Sequence, residues 1–205
     1  ILTIDLSGAE LIILASLPGD KYLLGNCKKD IHSEIATMIW KKLTKDSDYI
    51  VSKTINKDKR QAFKNVIYAW LYGAQSNTIA RLLDVSVTDA EIAIKVIENV
   101  LVTASTFLRH VANQAIDNGY TIFNKVTNSR SWFVNTPDHE IRRNAMNYII
   151  SGTQADIIKE AIVKIDNKIK EKNIEAQLLM QVHDELVYEF NPEFVGVSFT
   201  TPLYY

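Results

Sequence analysis

This chain is poor in several features, and each shortage removes a class of protein. It has one cysteine, Cys27, in 205 residues. That excludes a disulfide framework and a thiolate zinc site, and points to a reducing compartment. No apolar run approaches the roughly 18 residues of a membrane span, so neither a span nor a signal peptide is expected. Net charge is −1, so any basic surface must be local. There is no internal repeat and no low-complexity tract. The first methionine is Met38, and the chain opens with Ile1 inside a strand-like run. The expectation is a piece of something longer, or a recovered fragment. What is plentiful is apolar sequence, 47% of residues, enough to bury a core as one large domain or two small ones.

The stretch from Leu178 to Glu189 is the most informative. Two apolar runs flank His183-Asp184-Glu185, with no Gly or Pro between them, which predicts a hairpin with three ionisable side chains at its tip. Adjacent carboxylates repel each other, so such a tip calls for a cation; the plainer alternative is an exposed turn, where acids are common. A second stretch bears on the choice. Ile1 to Ile4 are strand formers, and Asp5 falls where the run ends. Ser7 can cap a helix from Ala9 to Leu17, with Glu10 in its first turn. If this strand lies beside the hairpin, Asp5 and Asp184 converge. They could then hold two Mg²⁺ ions roughly 3.5–4 Å apart, the arrangement used for phosphoryl transfer.

Most of the rest reads as helix. After a Pro18-Gly19-Asp20 break, a helix is expected from a Ser33 cap, with Ile35, Met38 and Ile39 on its apolar face. Residues 44–56 are polar and turn-rich, the best candidate for a flexible connection. Helices are expected over about 56–71, stopping near Gly73, and over about 76–84. Another should run from a capping box at Thr88 to Glu91 almost to Gly119. A hairpin, Tyr120 to Val126 and Trp132 to Val134, precedes helices at about 138–150 and 153–172.

On the helix at 56–72, Arg60, Lys64, Tyr68 and Tyr72 recur every fourth residue and form one stripe. Phe63, Val66, Ile67 and Trp70 fall on the other side, toward a core. A solvated basic face is the simple reading. However, no acid lies three or four positions from Arg60 or Lys64, and like charges at that spacing repel unless an anion sits between them. A triphosphate is such an anion, and an aromatic further along could stack on its base.

Asp5-x-Ser7-x-x-Glu10-Leu11, then Arg60-x-x-x-Lys64-x-x-x-Tyr68-x-x-x-Tyr72-Gly73, then His183-Asp184-Glu185 resemble, in order, motifs A, B and C of the family A DNA polymerases. Asp30-Ile31-His32 and Gly152-Thr153-x-Ala155-Asp156 resemble linking segments of the same family, and the likeness runs to about Tyr188. The wording of Asp5 to Gly8 and of Ile67 to Ala74 is closer to the phage T7 type.

The resemblance implies a set of roles. Asp5 and Asp184 would be the ligands of two catalytic Mg²⁺ ions, with Mn²⁺ able to substitute, and Glu185 would support them. Arg60, Lys64 and His32 would clamp the dNTP phosphates, Lys64 also serving as general acid for pyrophosphate. Tyr68 would stack on the incoming nucleotide, and Glu10 with Tyr72 would close the floor under the ribose 2′ position. Arg143, Asn147, Gln181 and His183 would touch the primer–template. Gln61, Ser151 and Ile12 depart from the residues usual in relatives, which weakens the duplex contacts more than the metal site.

The implied fold is α+β, a mostly helical fingers subdomain on a small antiparallel palm sheet of the right-hand type, without a thumb. Palm would be 1–20, fingers and helical connection 21–118, and palm again 119–205, with the motif C hairpin at about 176–190 and an unassigned tail, 191–205. The implied activity is template-directed DNA synthesis in the cytoplasm of a bacterial or phage-infected cell, an organelle being the other setting. No membrane is involved, and a thumb or exonuclease segment would be supplied in cis or in trans. Two other readings differ in class. One is a truncated, non-catalytic nucleotide- or DNA-binding fragment of such an enzyme. The other is an unrelated α+β domain whose carboxylates are surface turns, which predicts Asp5 far from Asp184.

Overall fold

The computed structural model describes residues 1–6, 8–26, 29–125 and 127–191. Cys27, Val126, the expected Ser7 cap and the tail from Pro192 onward lie outside them. Eight helices and five strands are seen among the described residues, the α+β class expected.

β1 (Leu2–Asp5) leads into α1 (Ala9–Ser16), whose N-cap position is Gly8 in the left-handed conformation. α2 (Lys21–Asn26) and α3 (Ile31–Thr44) follow. Asp30, not Ser33, caps α3: its carboxylate accepts from the Ser33 N–H, and Ser33 is buried inside the first turn. The apolar face of α3 is Ile31, Ile35, Ala36, Ile39 and Trp40, whereas Met38 is exposed. Beyond Thr44, the last residue of α3, the expected flexible connection has no helix or strand, yet it is pinned. Thr37 Oγ1 accepts from Val51 N at 2.9 Å and donates to Val51 O at 3.1 Å, and Val51 is buried.

α4 (Lys57–Leu71) ends at Gly73, which adopts φ +78. It buries Phe63, Val66, Ile67, Trp70 and Leu71, the face anticipated from its periodicity. α5 (Ser76–Leu83) is short. The expected long helix is two, α6 (Val87–Val100) and α7 (Val102–Asn118), with the cap at Ser86 rather than Thr88. The break at Leu101 has a tertiary cause. Leu101 is fully buried, and the buried carboxylate of Asp20 accepts from Ala104 N at 3.1 Å and from Leu23 N at 3.0 Å. One acid thus supplies the starts of two helices with an acceptor.

β2 (Tyr120–Asn124) and β3 (Ser129–Trp132) form a hairpin on α8 (Asp138–Glu171). The two helices expected here are one of 34 residues. Gly152 does not break it. A Cβ at Gly152 would lie 2.6 Å from the Phe123 ring, so the glycine admits the hairpin against the helix. Thr153 Oγ1 lies 3.0 Å from Phe123 O, and Asn124 donates to Asp156 at 2.7 Å. The Gly152-Thr153-x-Ala155-Asp156 segment is therefore the seat of β2.

β4 (Ala176–Val182) and β5 (Glu185–Phe190) close the chain's second sheet, whose order is β1-β5-β4, all antiparallel. Along β5, Leu186 and Tyr188 are buried, packing on Ile158 and Ile169 of α8. Their strand neighbours Glu185, Val187 and Glu189 take the other face, as the two-residue strand period demands. The main core is separate: it joins α1 through α7 and the first half of α8.

Candidate active site

The sheet register places the acidic residues. Asp5 stands opposite Glu185, Ile4 opposite Leu186 and Leu2 opposite Tyr188. Cross-strand partners share a face, so Ile4 packs with Leu186 toward α8 while Asp5 and Glu185 take the open face. His183 and Asp184 make the two-residue turn between Val182 and Glu185, with His183 at φ 53. Asp184 therefore adjoins the residue that Asp5 faces, and three carboxylates gather at one end of the sheet.

Asp5 is exposed, and Asp184 and Glu185 are half-buried. Among the described residues none of the three has an ion-pair partner. Nor do they close into a ready-made group of three metal ligands. Like charges directly opposite across strands are destabilising, which a divalent cation would offset. Hard carboxylate oxygens in ones and twos, completed by water and phosphate, are what Mg²⁺ takes. The donor set fits that ion.

The α4 stripe has a different character. Arg60 donates through Nε to Asp30 Oδ2 at 2.9 Å and through Nη2 to Asp30 Oδ1 at 2.8 Å, and its Nε also lies 3.1 Å from Ser33 Oγ. This corrects the expectation that the charge of Arg60 lacks an acid. The acid arrives from α3, 30 residues earlier, outside any window along α4. The hydrogen bonds from Arg60 hold the Asp30 carboxyl down at about 2, with Ser33 adding to them. Lys64 is exposed and has no ion pair among the described residues.

His32 is half-buried, and its Nε2 is buried without a hydrogen-bond partner among the described residues. Burial, then the positive charge of Arg60, lowers its pKa. Its ring centroid is 6.0 Å from that of Tyr68. Burial, then Glu10, pushes the Tyr68 phenol up. Tyr72 donates from its hydroxyl to Glu10 Oε1 at 2.8 Å; burial and that bond raise its pKa strongly. This contact ties the end of α4 to the first turn of α1, five residues past Asp5.

Arg143 and Asn147 are exposed and one turn apart on α8. A Cβ at Gly73 would meet the Arg143 backbone at 3.4 Å, so α4 ends against this turn. Gln181 is exposed on β4 and donates to His183 O at 3.1 Å. A cleft of about 500 Å³, lined by Trp70, Gln75, Ile94, Lys95 and Met146 among others, opens beyond Gly73 rather than at the carboxylates. Asp30 is the residue that sequence reasoning missed. It was visible as the start of Asp30-Ile31-His32, and Asp-x-x-Ser is itself a helix-start pattern.

A layer of helices set over a small antiparallel sheet with acids at its tip is the plan of a polymerase hand. The chain belongs to DNA polymerase family A: the family's model matches residues 1–197. It is 28% identical over 200 residues to DNA polymerase I of Mycobacterium tuberculosis, covering 94% of this chain and 21% of that protein. With DNA polymerase I of Borreliella burgdorferi it shares 31% over 194 residues, 90% of this chain and 20% of the relative. The POL domain of Pol1 from M. smegmatis, solved in complex with DNA primer-template and dNTP, superposes with a TM-score of 0.77. It shares 28% identity and covers 92% of this chain and 33% of that one. The chain thus spans about a fifth of the length of these curated relatives. No helix among the described residues is long and apolar enough to cross a membrane.

Proposed function

We propose that this chain is the fingers and catalytic palm of a template-directed DNA polymerase, adding dNTPs to a primer 3′-hydroxyl with release of pyrophosphate. The observation that carries this reading is the register that sets Asp5 opposite Glu185 with Asp184 in the adjoining turn, joined to the α4 stripe through Glu10 and Tyr72. Residues 1–20 and 119–190 would be palm, and 21–118 fingers and helical connection, with 191–205 unassigned.

Asp5 and Asp184 would hold two Mg²⁺ ions, or Mn²⁺ in their place, with Glu185 in support. When bound, such ions supply a lowered pKa at the primer hydroxyl and charge neutralisation at the triphosphate. Arg60, Lys64 and His32 bind and orient the phosphates, and Lys64 can pass a proton to the departing pyrophosphate. Tyr68 offers its ring to the nucleotide. Glu10 and Tyr72, locked to each other, fill the space under the sugar's 2′ position and so select deoxynucleotides. Arg143, Asn147, Gln181 and His183 position the primer–template. A thumb-bearing segment in cis or in trans completes the grip on DNA. The wording of Asp5 to Gly8 and Ile67 to Ala74 favours the phage branch of the family.

The test is extension of a primed template in Mg²⁺ by the chain, alone and fused to the preceding segment of a bacterial relative. Extension that requires Asp5 and Asp184 is expected from the fusion. A fusion that binds primer–template and dNTP but never extends would leave the non-catalytic fragment as the reading.

A further inference from the structure

Asp30 has no role in the site as proposed so far, yet it is the most heavily engaged carboxylate near it. Four donors converge on it: Arg60 Nε and Nη2, Ser33 N at 3.3 Å and Ser33 Oγ at 2.7 Å. The side chains of Arg60 and Asp30 are only 20% and 24% exposed. Arg60 Nη1 has no partner among the described residues, and neither does the buried Nε2 of His32, two residues from Asp30.

We propose that Asp30 is a positioning residue for the triphosphate: its carboxylate takes the Nε–Nη2 edge of Arg60 and leaves Nη1 for phosphate. The inference rests on the reading of Arg60, Lys64 and His32 as phosphate ligands. A long arginine side chain loses rotamer freedom when it binds, and one already fixed by a two-point fork has less to lose. A carboxylate nearby could instead compete with phosphate for the guanidinium. Here its lone pairs already face four donors, and it is anchored to the first turn of α3, so it holds Arg60 rather than drawing it away. The same turn carries His32, so one acid sets two of the three phosphate ligands.

The experiment is calorimetric titration of the whole chain with dATP and Mg²⁺, and separately with dAMP, across five variants. Asp30→Asn keeps the shape and remains a good N-cap, so α3 should still form. It should weaken dATP binding about tenfold, the order at which a charge-assisted hydrogen bond is felt, and leave dAMP unchanged. Arg60→Lys, which keeps the charge and loses the fork, should fall by a similar factor. In an Arg60→Ala background, Asp30→Asn should have no further effect. Wild-type or tighter dATP binding by Asp30→Asn, beside a loss in Arg60→Ala, would overturn the inference and leave the phosphate site standing. An equal loss for dATP and dAMP would show a merely structural role and also overturn it. A chain that binds no dATP, or binds it equally well as Arg60→Ala and Lys64→Ala, would overturn the underlying reading itself.

Discussion

The tip of the three-stranded sheet and the stripe on α4 are built in opposite ways. The stripe stands on the main core, with Phe63, Val66, Ile67 and Leu71 fully buried behind it. Two of its polar members are braced, Arg60 by Asp30 and Tyr72 by Glu10. The tip stands on a small separate cluster around Leu186 and Tyr188, and among the described residues its carboxylates have no ion-pair partner. Beside them β4 exposes Leu178, Leu179, Met180 and Val182. A region built on the main core satisfies part of its charge from within. A region that leaves acids opposed is at a disadvantage in folding that a ligand can remove.

The largest expected effect is at the tip. Asp5→Ala or Asp184→Ala should each cut primer extension by the completed enzyme by about a thousandfold or more, since the lost stabilisation belongs to the transition state. Primer–template binding should stay near wild type and thermal stability should hold or rise, because neither acid has an ion-pair partner among the described residues and the repulsion across the strands is relieved. A gel-based extension assay beside a melting curve separates the two. A fall in stability matching the loss of activity would erase the contrast between the regions.

Gly152→Ala probes the seat of the hairpin on α8. The new methyl would meet the Phe123 ring at 2.6 Å, and overpacking of this kind costs about 1–3 kcal/mol. Chemical denaturation should show the loss, with extension retained at low temperature. Unchanged stability would mean that β2 is not held where the contact places it.

Acid should loosen the braced region through Asp30. Its folded pKa is depressed from 3.8 to about 2. The stabilisation is therefore fully present above the unfolded value and is lost as pH falls through the folded one. With both partners partly exposed, about 1–2 kcal/mol is a fair scale. Wild type should lose stability relative to Asp30→Asn between pH 5 and pH 2 by about this amount. Parallel curves for the two proteins would show that the ion pair contributes nothing.

Tyr72→Phe is the mildest change. It removes one hydrogen bond to Glu10, worth about 1 kcal/mol, and should relax discrimination against ribonucleotides more than it lowers stability. Competition between dATP and ATP in single-nucleotide addition reads the first, and a melting curve the second.

Local patterns could be read from the sequence, and partners brought in from elsewhere could not. The buried face of α4 follows from spacing alone, as do the strand ending at Asp5 and the turn at His183-Asp184. The errors are of two kinds, local competition for a cap and contacts from distant residues. Ser33 and Thr88 have the chemistry of caps, but Asp30 and Ser86 reached the orphan N–H groups first. Gly152 looks like a helix break until Phe123 is seen against it. The helix over 87–118 divides at Leu101 because Asp20, 84 residues before Ala104, receives the N–H there. Arg60 appeared to need an external anion because Asp30 lies on another helix. The last three cases are tertiary contacts that override a local preference.

The central claim is that the sheet tip and the α4 stripe form one site. Paramagnetic broadening by Mn²⁺ tests it most directly, read at the His32 and Tyr68 ring signals with and without dATP. Broadening of both rings is expected when dATP is present, with loss of the effect in Asp5→Ala and in Asp184→Ala. Broadening that is indifferent to those two substitutions, or that never reaches His32 and Tyr68, would show two separate regions and contradict the account.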